Sequence, residues 1–282
     1  MVIDVADLRM TYGTVEVLTG VSFQAHRGEV LALLGPNGAG KSTTIEILEG
    51  FRIRSAGAVS VLGADPVDGD EAWRARLGVV LQSWRDHARW RVAQLLSHLA
   101  AYYRPYSTPL RPRPMDVGEL LDLVGLASQA GHKVGSLSGG QRRRLDVAIG
   151  LIGRPDLLFL DEPTTGFDPQ ARRDFHDLDE AEKLSDRILV LAGGRILADG
   201  SAAQLSRQVE GRTEVRWTRD GESFVHAADD GTAFVRELFA QYGDRIGDLE
   251  VRRASLEDSY MALVHRFEAG DREVSSGLEM LR

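Results

Sequence analysis

The stretch Gly35-Pro-Asn-Gly-Ala-Gly-Lys-Ser42 follows an apolar run at residues 29–34 and precedes a helix-like stretch at residues 41–49. It fits the pattern GxxxxGK followed by Ser or Thr in full, and its flanks are typical of a buried strand and a helix. Glycines let the backbone curl so that several N–H groups point at one anion, and the N-terminus of the next helix adds positive potential. The sequence therefore predicts a phosphate-binding loop in an α/β fold.

This loop supplies most of the predicted nucleotide contacts. We expect Lys41 to reach the β- and γ-phosphates and the Ser42 hydroxyl to ligate Mg²⁺. Lys41 is one of only three lysines among 34 basic residues, so the overall composition does not explain a lysine at this place. The predicted nucleotide-binding residues of the loop are Gly35, Pro36, Asn37, Gly38, Ala39, Gly40, Lys41, Ser42 and Thr43.

Two acidic residues follow a second apolar run. Residues 157–160 read Leu-Leu-Phe-Leu, which indicates a buried strand, and Asp161 and Glu162 stand at its end. An acid at that place can hold the coordination shell of Mg²⁺, and its neighbour can orient or deprotonate an attacking water. We therefore predict Asp161 as a metal ligand and Glu162 as the catalytic base.

The segment Leu137-Ser-Gly-Gly-Gln141 distinguishes between the classes of protein that carry such a loop. It resembles the signature motif of the ABC ATPases. Gln82 is similar to the Q-loop glutamine of that family, and Tyr12 is similar to the aromatic residue that stacks on adenine. Gly166-Phe-Asp168 resembles the family's D-loop, with phenylalanine where leucine is usual. The resemblance covers the chain from about residue 2 to residue 206.

The resemblance implies ATP and Mg²⁺ as cofactors, with each ATP held between two ATP-binding subunits packed head to tail. The phosphate loop of one subunit then faces the signature motif of the other. The signature motif would lie at a helix N-terminus, which is a second anion site. The resemblance also implies nucleotide contacts for Ser138, Gly139, Gly140, Gln141 and Asp168, Mg²⁺ coordination for Gln82, and catalytic roles for Gln82 and His176.

The order of the patterns predicts a P-loop ATPase core with a mostly parallel sheet and an antiparallel β edge. We expect an ATPase domain at residues 1–206, with an inserted, mostly helical subdomain at about residues 83–137 around a proline cluster. Strand patterns begin again after about residue 207 and include the hairpin signal Asp220-Gly221. We therefore expect a small C-terminal α+β appendage at residues 207–282.

The spacing between Asp161 and His176 departs from the family pattern. Seven residues separate Asp168 from His176, whereas a parallel crossover needs about a dozen or more. Residues can be absent from the sequence, the protein can carry an internal deletion, or a local helix at residues 169–184 can replace the family's strand. We favour absent residues and expect a discontinuity or a missing strand near Phe175 and His176. In the third case His176 is a surface residue and turnover is impaired.

Composition and charge narrow the class of partner. The chain contains no cysteine, shows no apolar run long enough for a membrane span and shows no secretory signal, which favours a cytoplasmic protein. A net charge of −8 argues against nucleic acid as a partner, because nucleic-acid binding depends on neutralising phosphates.

Residues 252–263 resemble the tail of drug-exporter-type ABC subunits.

The expected function is therefore ATP hydrolysis that energises export through a separate membrane-spanning permease subunit. The expected location is the inner face of the cell membrane, as a peripheral protein. A second ATP-binding subunit, most simply another copy of this chain, is the expected dimer partner. Two rival hypotheses stay open: a soluble ABC protein that acts on nucleic acid or the ribosome, and a dimerising ATP-binding module that hydrolyses ATP poorly.

Overall fold

The computed structural model describes residues 1–80, 87–160, 183–208, 213–219, 222–228 and 230–252, and positions 260, 261, 263, 264 and 267 of a last helical segment. Its contacts form two compact units, Met1–Arg27 with Ser42–Asp177, and Gly28–Lys41 with Leu178–Arg282. The predicted site residues Gln82, Asp161, Glu162, Asp168 and His176 lie outside the described residues. The discontinuity expected near Phe175 and His176 lies outside them too and stays a prediction.

The described part of the chain contains both strands and α-helices. The strands are β1 (Ile3–Tyr12), β2 (Val15–Ala25), β3 (Leu31–Leu34), β4 (Ala56–Val61), β5 (Leu77–Val80), β6 (Leu157–Leu160), β7 (Arg187–Ala192), β8 (Arg195–Gly200), β9 (Thr213–Arg219), β10 (Glu222–Ala228) and β11 (Ile246–Arg252). The α-helices are α1 (Lys41–Leu48), α2 (Glu71–Arg74), α3 (Val92–Tyr103), α4 (Val117–Leu123), α5 (Gly139–Leu151), α6 (Ala202–Gln208) and α7 (Gly231–Tyr242). Within these described elements, no helix is both long and apolar enough to cross a bilayer.

The first unit contains an antiparallel sheet in the order β2-β1-β4. The buried residues of β1 are Ile3 and Val5 and, beyond an irregularity in the register between Val5 and Leu8, Leu8 and Met10. The alternation on each side of this point is typical of a strand with one solvent-exposed face. Gly57 of β4 passes close to β1, and a Cβ at this position would lie 2.3 Å from the carbonyl oxygen of Asp7. The sheet therefore requires glycine at the start of β4.

A parallel pair, β5 with β6, forms the second sheet of this unit, with Leu77 opposite Leu157. Helix α5 lies close against β5 because glycines stand at the contact. A Cβ on Gly78 would lie 2.4 Å from the Gly150 carbonyl oxygen, and one on Gly150 would lie 2.5 Å from Val80 Cγ2. This contact fixes the helix that begins at the predicted signature motif against the sheet whose β6 ends just before Asp161.

Helices α3, α4 and α5 bury a core of their own. Its fully or almost fully buried members are Val92, Leu95, Leu96, Ala100, Leu120, Leu121, Leu126, Val134, Leu145, Ala148 and Ile152. Asp116 begins α4 by accepting hydrogen bonds from the backbone N–H groups of Gly118 and Glu119, at 2.8 and 3.0 Å. Such a cap satisfies donors that the first helical turn leaves unpaired.

The second unit contains the sheet β3-β7-β8. Strand β3 is parallel to β7, with Leu31 opposite Arg187, and β7 turns into antiparallel β8 at Gly193-Gly194, where both residues have positive φ. The predicted hairpin at these glycines is confirmed. Arg187 ties the sheet together, since its guanidinium pairs with Asp199 and lies 3.4 Å from Glu29.

The expectation of a fully buried strand at residues 29–34 is wrong in two respects. The strand begins only at Leu31, and its four residues are all half-buried. Among the described strands, β3 pairs with β7 alone and β6 with β5 alone. Of the expected mostly parallel sheet, the described residues show two parallel pairs, β3 with β7 and β5 with β6.

The sheet β10-β9-β11 packs with α7 around Val215, Trp217 and Leu238, which are buried. The strands and the helix expected at residues 213–217, 223–226, 232–242 and 248–251 are all present. Arg219 lies over the rings of Phe224 and Tyr242, at 4.6 and 4.5 Å from their centroids. These contacts join residues of β9, β10 and α7.

Asp156 stands just before β6 and collects three arginine side chains. Arg76 Nε lies 2.9 Å and Arg113 Nη2 3.3 Å from its Oδ2, and Arg111 pairs with its Oδ1. Burial raises the pKa of Asp156, but the hydrogen bond from Arg76 and the charges of Arg111 and Arg113 outweigh it, so the pKa lies below its ordinary value. The carboxylate joins the starts of β5 and β6 to the loop at residues 107–113.

We expect Asp156→Asn to lower the free energy of unfolding by about 2–4 kcal/mol, because three guanidinium groups lose their shared carboxylate. This loss of free energy is smaller than for a fully buried ion pair, because the side chains of Arg76 and Arg111 are 37% and 40% exposed. The matched control is Glu119→Gln, whose partner Arg154 is 3.9 Å away and whose side chain is 70% exposed, so little change is expected. Chemical denaturation of both variants measures the difference.

The difference in free energy of unfolding between wild type and Asp156→Asn should also depend on pH, and the lowered pKa fixes the direction of that dependence. Because the pKa of Asp156 is lowered in the folded state, its contribution is complete above the unfolded pKa of about 4 and is lost as the pH falls through the folded value. The gap between wild type and Asp156→Asn should be constant at neutral pH and shrink below about pH 4. A gap that widens in acid would contradict this role for Asp156.

Candidate nucleotide-binding site

The glycine-rich loop leaves β3 at Leu34 and enters α1 at Lys41. Gly38 and Gly40 have φ values of +81° and +103°, which side chains with a Cβ rarely adopt. A Cβ on Gly35 would lie 2.1 Å from the Leu191 carbonyl oxygen, so only glycine fits where the loop leaves the sheet. The loop turns back on itself through a 3.1 Å hydrogen bond from Ala39 N to the Pro36 carbonyl oxygen.

Lys41 folds over the loop that precedes it. Its Nζ donates to the carbonyl oxygens of Gly35 and Pro36, at 2.5 and 3.2 Å. The ammonium group therefore lies within the curve of the loop, at the N-terminus of α1, where a bound anion gains from both the charge and the helix dipole. A phosphate oxygen that replaced these carbonyl contacts would receive a charge-assisted hydrogen bond.

Ser42 and Thr43 occupy the first turn of α1. Ser42 is exposed and Thr43 is half-buried, while Thr44 is fully buried and belongs to the core. The exposed Ser42 hydroxyl is an oxygen ligand of the kind that Mg²⁺ takes beside substrate phosphates. The described residues contain no group of three or more carboxylate, histidine or cysteine side chains that could hold a metal by themselves. The Ser42 hydroxyl fits the role of one ligand of a metal that is held jointly with phosphate.

Ser138 begins α5, as the sequence predicted. Its Oγ accepts from Gln141 N at 3.3 Å, and Gln141 Oε1 accepts from Ser138 N at 3.0 Å, which is a reciprocal capping box. Ser138 and Gly139 are both exposed. The N-terminus of this 13-residue helix therefore opens to solvent and can take an anion.

Tyr12 stands at the end of β1, next to the turn at Gly13. The residue is 38% exposed, so part of its ring can contact a ligand. The guanidinium of Arg52 lies over the ring at 5.1 Å from its centroid. Sequence reasoning missed Arg52, because no local pattern relates a loop arginine to an aromatic residue on a distant strand.

The predicted site residues are divided between the two units. Gly35 to Lys41 belong to the second unit, while Tyr12, Ser42, Thr43 and residues 138–141 belong to the first. The structure has the phosphate loop and the capped signature helix in the predicted local form. The roles predicted for Gln82, Asp161, Glu162, Asp168 and His176 stay predictions, because these residues lie outside the described ranges.

Comparisons with known proteins agree with the geometry. A family model described as ABC transporter matches residues 18–165. The chain is 38% identical over 230 residues to a Nod factor export ATP-binding protein I of Neorhizobium galegae, a match that covers 75% of this chain and 65% of that protein. The present chain therefore spans just under two thirds of the length of that relative. A protein of the same name from Rhizobium sp. (strain N33) is 38% identical over 217 residues, covering 71% of this chain and 70% of that protein.

Among solved structures, an ATP-binding subunit of an ABC transporter matches with a TM-score of 0.63 at 23% identity, covering 94% of this chain and 100% of that one. That likeness establishes an α/β fold of the ABC cassette type. The family match extends over more than half of the chain and includes both the phosphate loop and the signature helix. The chain belongs to the family of ABC transporter ATP-binding proteins.

Proposed function

We propose that this chain binds and hydrolyses ATP and thereby energises export through a separate membrane-spanning subunit. The observation that carries the proposal is the glycine loop with the Lys41 ammonium group inside its curve, at the N-terminus of α1. The names of the relatives, which are export ATP-binding proteins, favour export as the direction of transport. The site for this chemistry is proposed on the cytoplasmic side of the membrane.

The residues of the loop and of the other motifs have different roles at the nucleotide. Backbone N–H groups and Lys41 hold the β- and γ-phosphates, and the Tyr12 ring stacks on adenine. The Ser42 hydroxyl, with Asp161 and Gln82, holds Mg²⁺, and the bound ion supplies charge neutralisation at the phosphates. Glu162 accepts a proton from the attacking water, Asp168 contacts the nucleotide and His176 contacts the γ-phosphate.

The N-terminus of α5 is proposed to act on the ATP of a second ATP-binding subunit. The exposed positions Ser138 and Gly139, with Gly140 and Gln141, then donate to the γ-phosphate that the loop of the other subunit holds. The capping box engages the backbone N–H groups of Ser138 and Gln141 and so fixes the turn between them, which carries the backbone N–H groups of Gly139 and Gly140. We infer a homodimer with two such sites.

The proposed organisation follows the expectations from sequence. Residues 1–206 form the ATPase domain, the helices within about residues 83–137 form a subdomain that carries the signature helix, and residues 207–282 form a small C-terminal α+β domain. Support comes from the separate cores around Leu95 and Leu120 and around Val215 and Trp217. The resemblance of residues 252–263 to drug-exporter subunits stays a proposal.

An alternative is a module that binds ATP and dimerises but turns over slowly. The short spacing between Asp161 and His176 favours it. Intact-mass measurement of the protein from its natural source, together with a turnover assay, separates the two. A mass that matches the present sequence with very slow turnover would favour the alternative, while a larger mass or normal turnover would favour the ATPase.

Lys41→Ala should weaken ATP binding about tenfold or more, because each lost charge-assisted contact is worth about 1.5–3 kcal/mol. Calorimetric titration measures the affinity. Lys133→Ala is the matched control, since Lys133 is another of the three lysines and is exposed, far from the loop in sequence. Equal affinity in the Lys41 variant and the wild type would remove the loop from the proposed site.

Glu162→Gln should bind ATP at wild-type affinity but stop turnover, since the amide does not accept a proton from water. The variant should also accumulate an ATP-bound dimer, visible by size-exclusion chromatography. Glu119→Gln, which replaces an exposed carboxylate on α4, should keep normal turnover. Unchanged hydrolysis in Glu162→Gln would exclude Glu162 as the base.

Ser138→Arg should abolish cooperative hydrolysis while the monomer still binds ATP, because a bulky cation stands where the γ-phosphate of the other subunit is received. Ser138→Ala separates this effect from the loss of the cap, which costs about 0.5–2 kcal/mol of stability. A mixture of Ser138→Arg and Lys41→Ala chains gives the decisive test. Their heterodimer contains one site with an intact Lys41 and an intact Ser138, so mixing should restore turnover. No gain on mixing would contradict action between subunits.

A further inference from the structure

The loop that follows α1 holds an arginine beside the predicted adenine-stacking ring. Arg52 lies over the Tyr12 ring, with 5.1 Å between its guanidinium carbon and the ring centroid. Planar guanidinium groups stack favourably on aromatic rings, both by cation–π attraction and by dispersion. Because 38% of Tyr12 is still exposed, the arginine supports the ring without enclosing it.

Arg52 is fixed to the phosphate-binding helix by two contacts with one residue. Its Nε lies 2.6 Å from Oε2 of Glu46 on α1, and its backbone N donates to the Glu46 carbonyl oxygen at 3.1 Å. Phe51 N donates to the same carbonyl oxygen at 2.8 Å. The end of α1 therefore determines where the guanidinium lies.

The same loop is also fixed to β1. Ser55 N donates to the Arg9 carbonyl oxygen at 2.9 Å, and Thr11 N donates to Ser55 Oγ at 3.0 Å. Both contacts lie within three residues of Tyr12 along β1. Arg52 is thus held between α1 and the end of β1.

We propose that Arg52 is a positioning residue for base recognition: held by Glu46, it keeps the Tyr12 ring in the orientation that stacks on adenine. The inference rests on the proposed function, since it takes ATP as the ligand. A ring fixed before binding loses less rotational freedom when the base arrives, which raises affinity without a new contact. The side chains of the Arg52–Glu46 pair are 35% and 40% exposed, so solvent screens the pair and it contributes little to folding by itself. We therefore expect its effect in base binding.

The test is a pair of calorimetric titrations on the full chain, one with ATP and one with inorganic tripolyphosphate, which has phosphates but no base. Arg52→Gln should weaken ATP binding about two- to fivefold, the range for an exposed cation–π contact, and leave tripolyphosphate binding unchanged. Arg9→Gln is the matched control, because Arg9 is also an ion-paired arginine with a solvent-exposed side chain but lies on β1. This variant should bind ATP and tripolyphosphate as the wild type does. Arg52→Lys keeps the cation without the planar fork and should fall between wild type and Arg52→Gln.

A double-mutant cycle with Tyr12→Ala decides whether Arg52 acts through the ring. In the Tyr12→Ala background, Arg52→Gln should cause no further loss of ATP affinity. Equal weakening of ATP and tripolyphosphate, or full additivity with Tyr12→Ala, would overturn the inference and leave ATP binding as proposed. If Tyr12→Ala itself leaves the ATP affinity unchanged, the proposed base contact fails and the inference fails with it.

Discussion

The close passage of Gly35 beside the Leu191 carbonyl oxygen is the contact on which the phosphate loop depends. At this point the chain leaves β3 while its neighbour β7 is still in register, and there is no room for a Cβ. The backbone can therefore turn at once towards α1, and the curve that follows has space for the Lys41 ammonium group. A side chain at position 35 would clash with this carbonyl oxygen, so the backbone at the start of the loop would have to shift.

Glycine plays a comparable part in the first unit, where it sets the distance between helix α5 and strand β5. Gly78 and Gly150 bring the two backbones together, so the helix whose N-terminus carries Ser138 lies directly against the β5–β6 pair. Strand β6 ends just before Asp161, the predicted metal ligand, and Glu162, the predicted catalytic base. The helix with the proposed anion site and the β5–β6 pair are thus in close contact within one unit, at Gly78 and Gly150.

Arginine supplies most of the ion pairs that join distant parts of each unit. Asp156 pairs with three guanidinium groups near the starts of β5 and β6, and Arg187 on β7 pairs with Asp199 on β8 and with Glu29 just before β3. Arg52 belongs to the same pattern, since its planar group reaches a carboxylate and a ring together. The planar fork with several donors suits arginine to such junctions, whereas the single compact charge of Lys41 suits the proposed phosphate contact.

The sequence by itself determined the α/β class, the phosphate loop before α1, the capped helix at Ser138 and the hairpin at Gly193-Gly194. Each of these depends on glycine spacing, caps or apolar alternation among near neighbours, which are readable without knowing what packs against them. Only the tertiary structure decided that Leu31 to Leu34 are half-buried, that Asp156 collects three arginines and that Arg52 supports Tyr12. The pairings join residues that are tens of positions apart. Which residues are paired or buried depends on which elements the fold brings into contact, and a local sequence pattern does not contain that information.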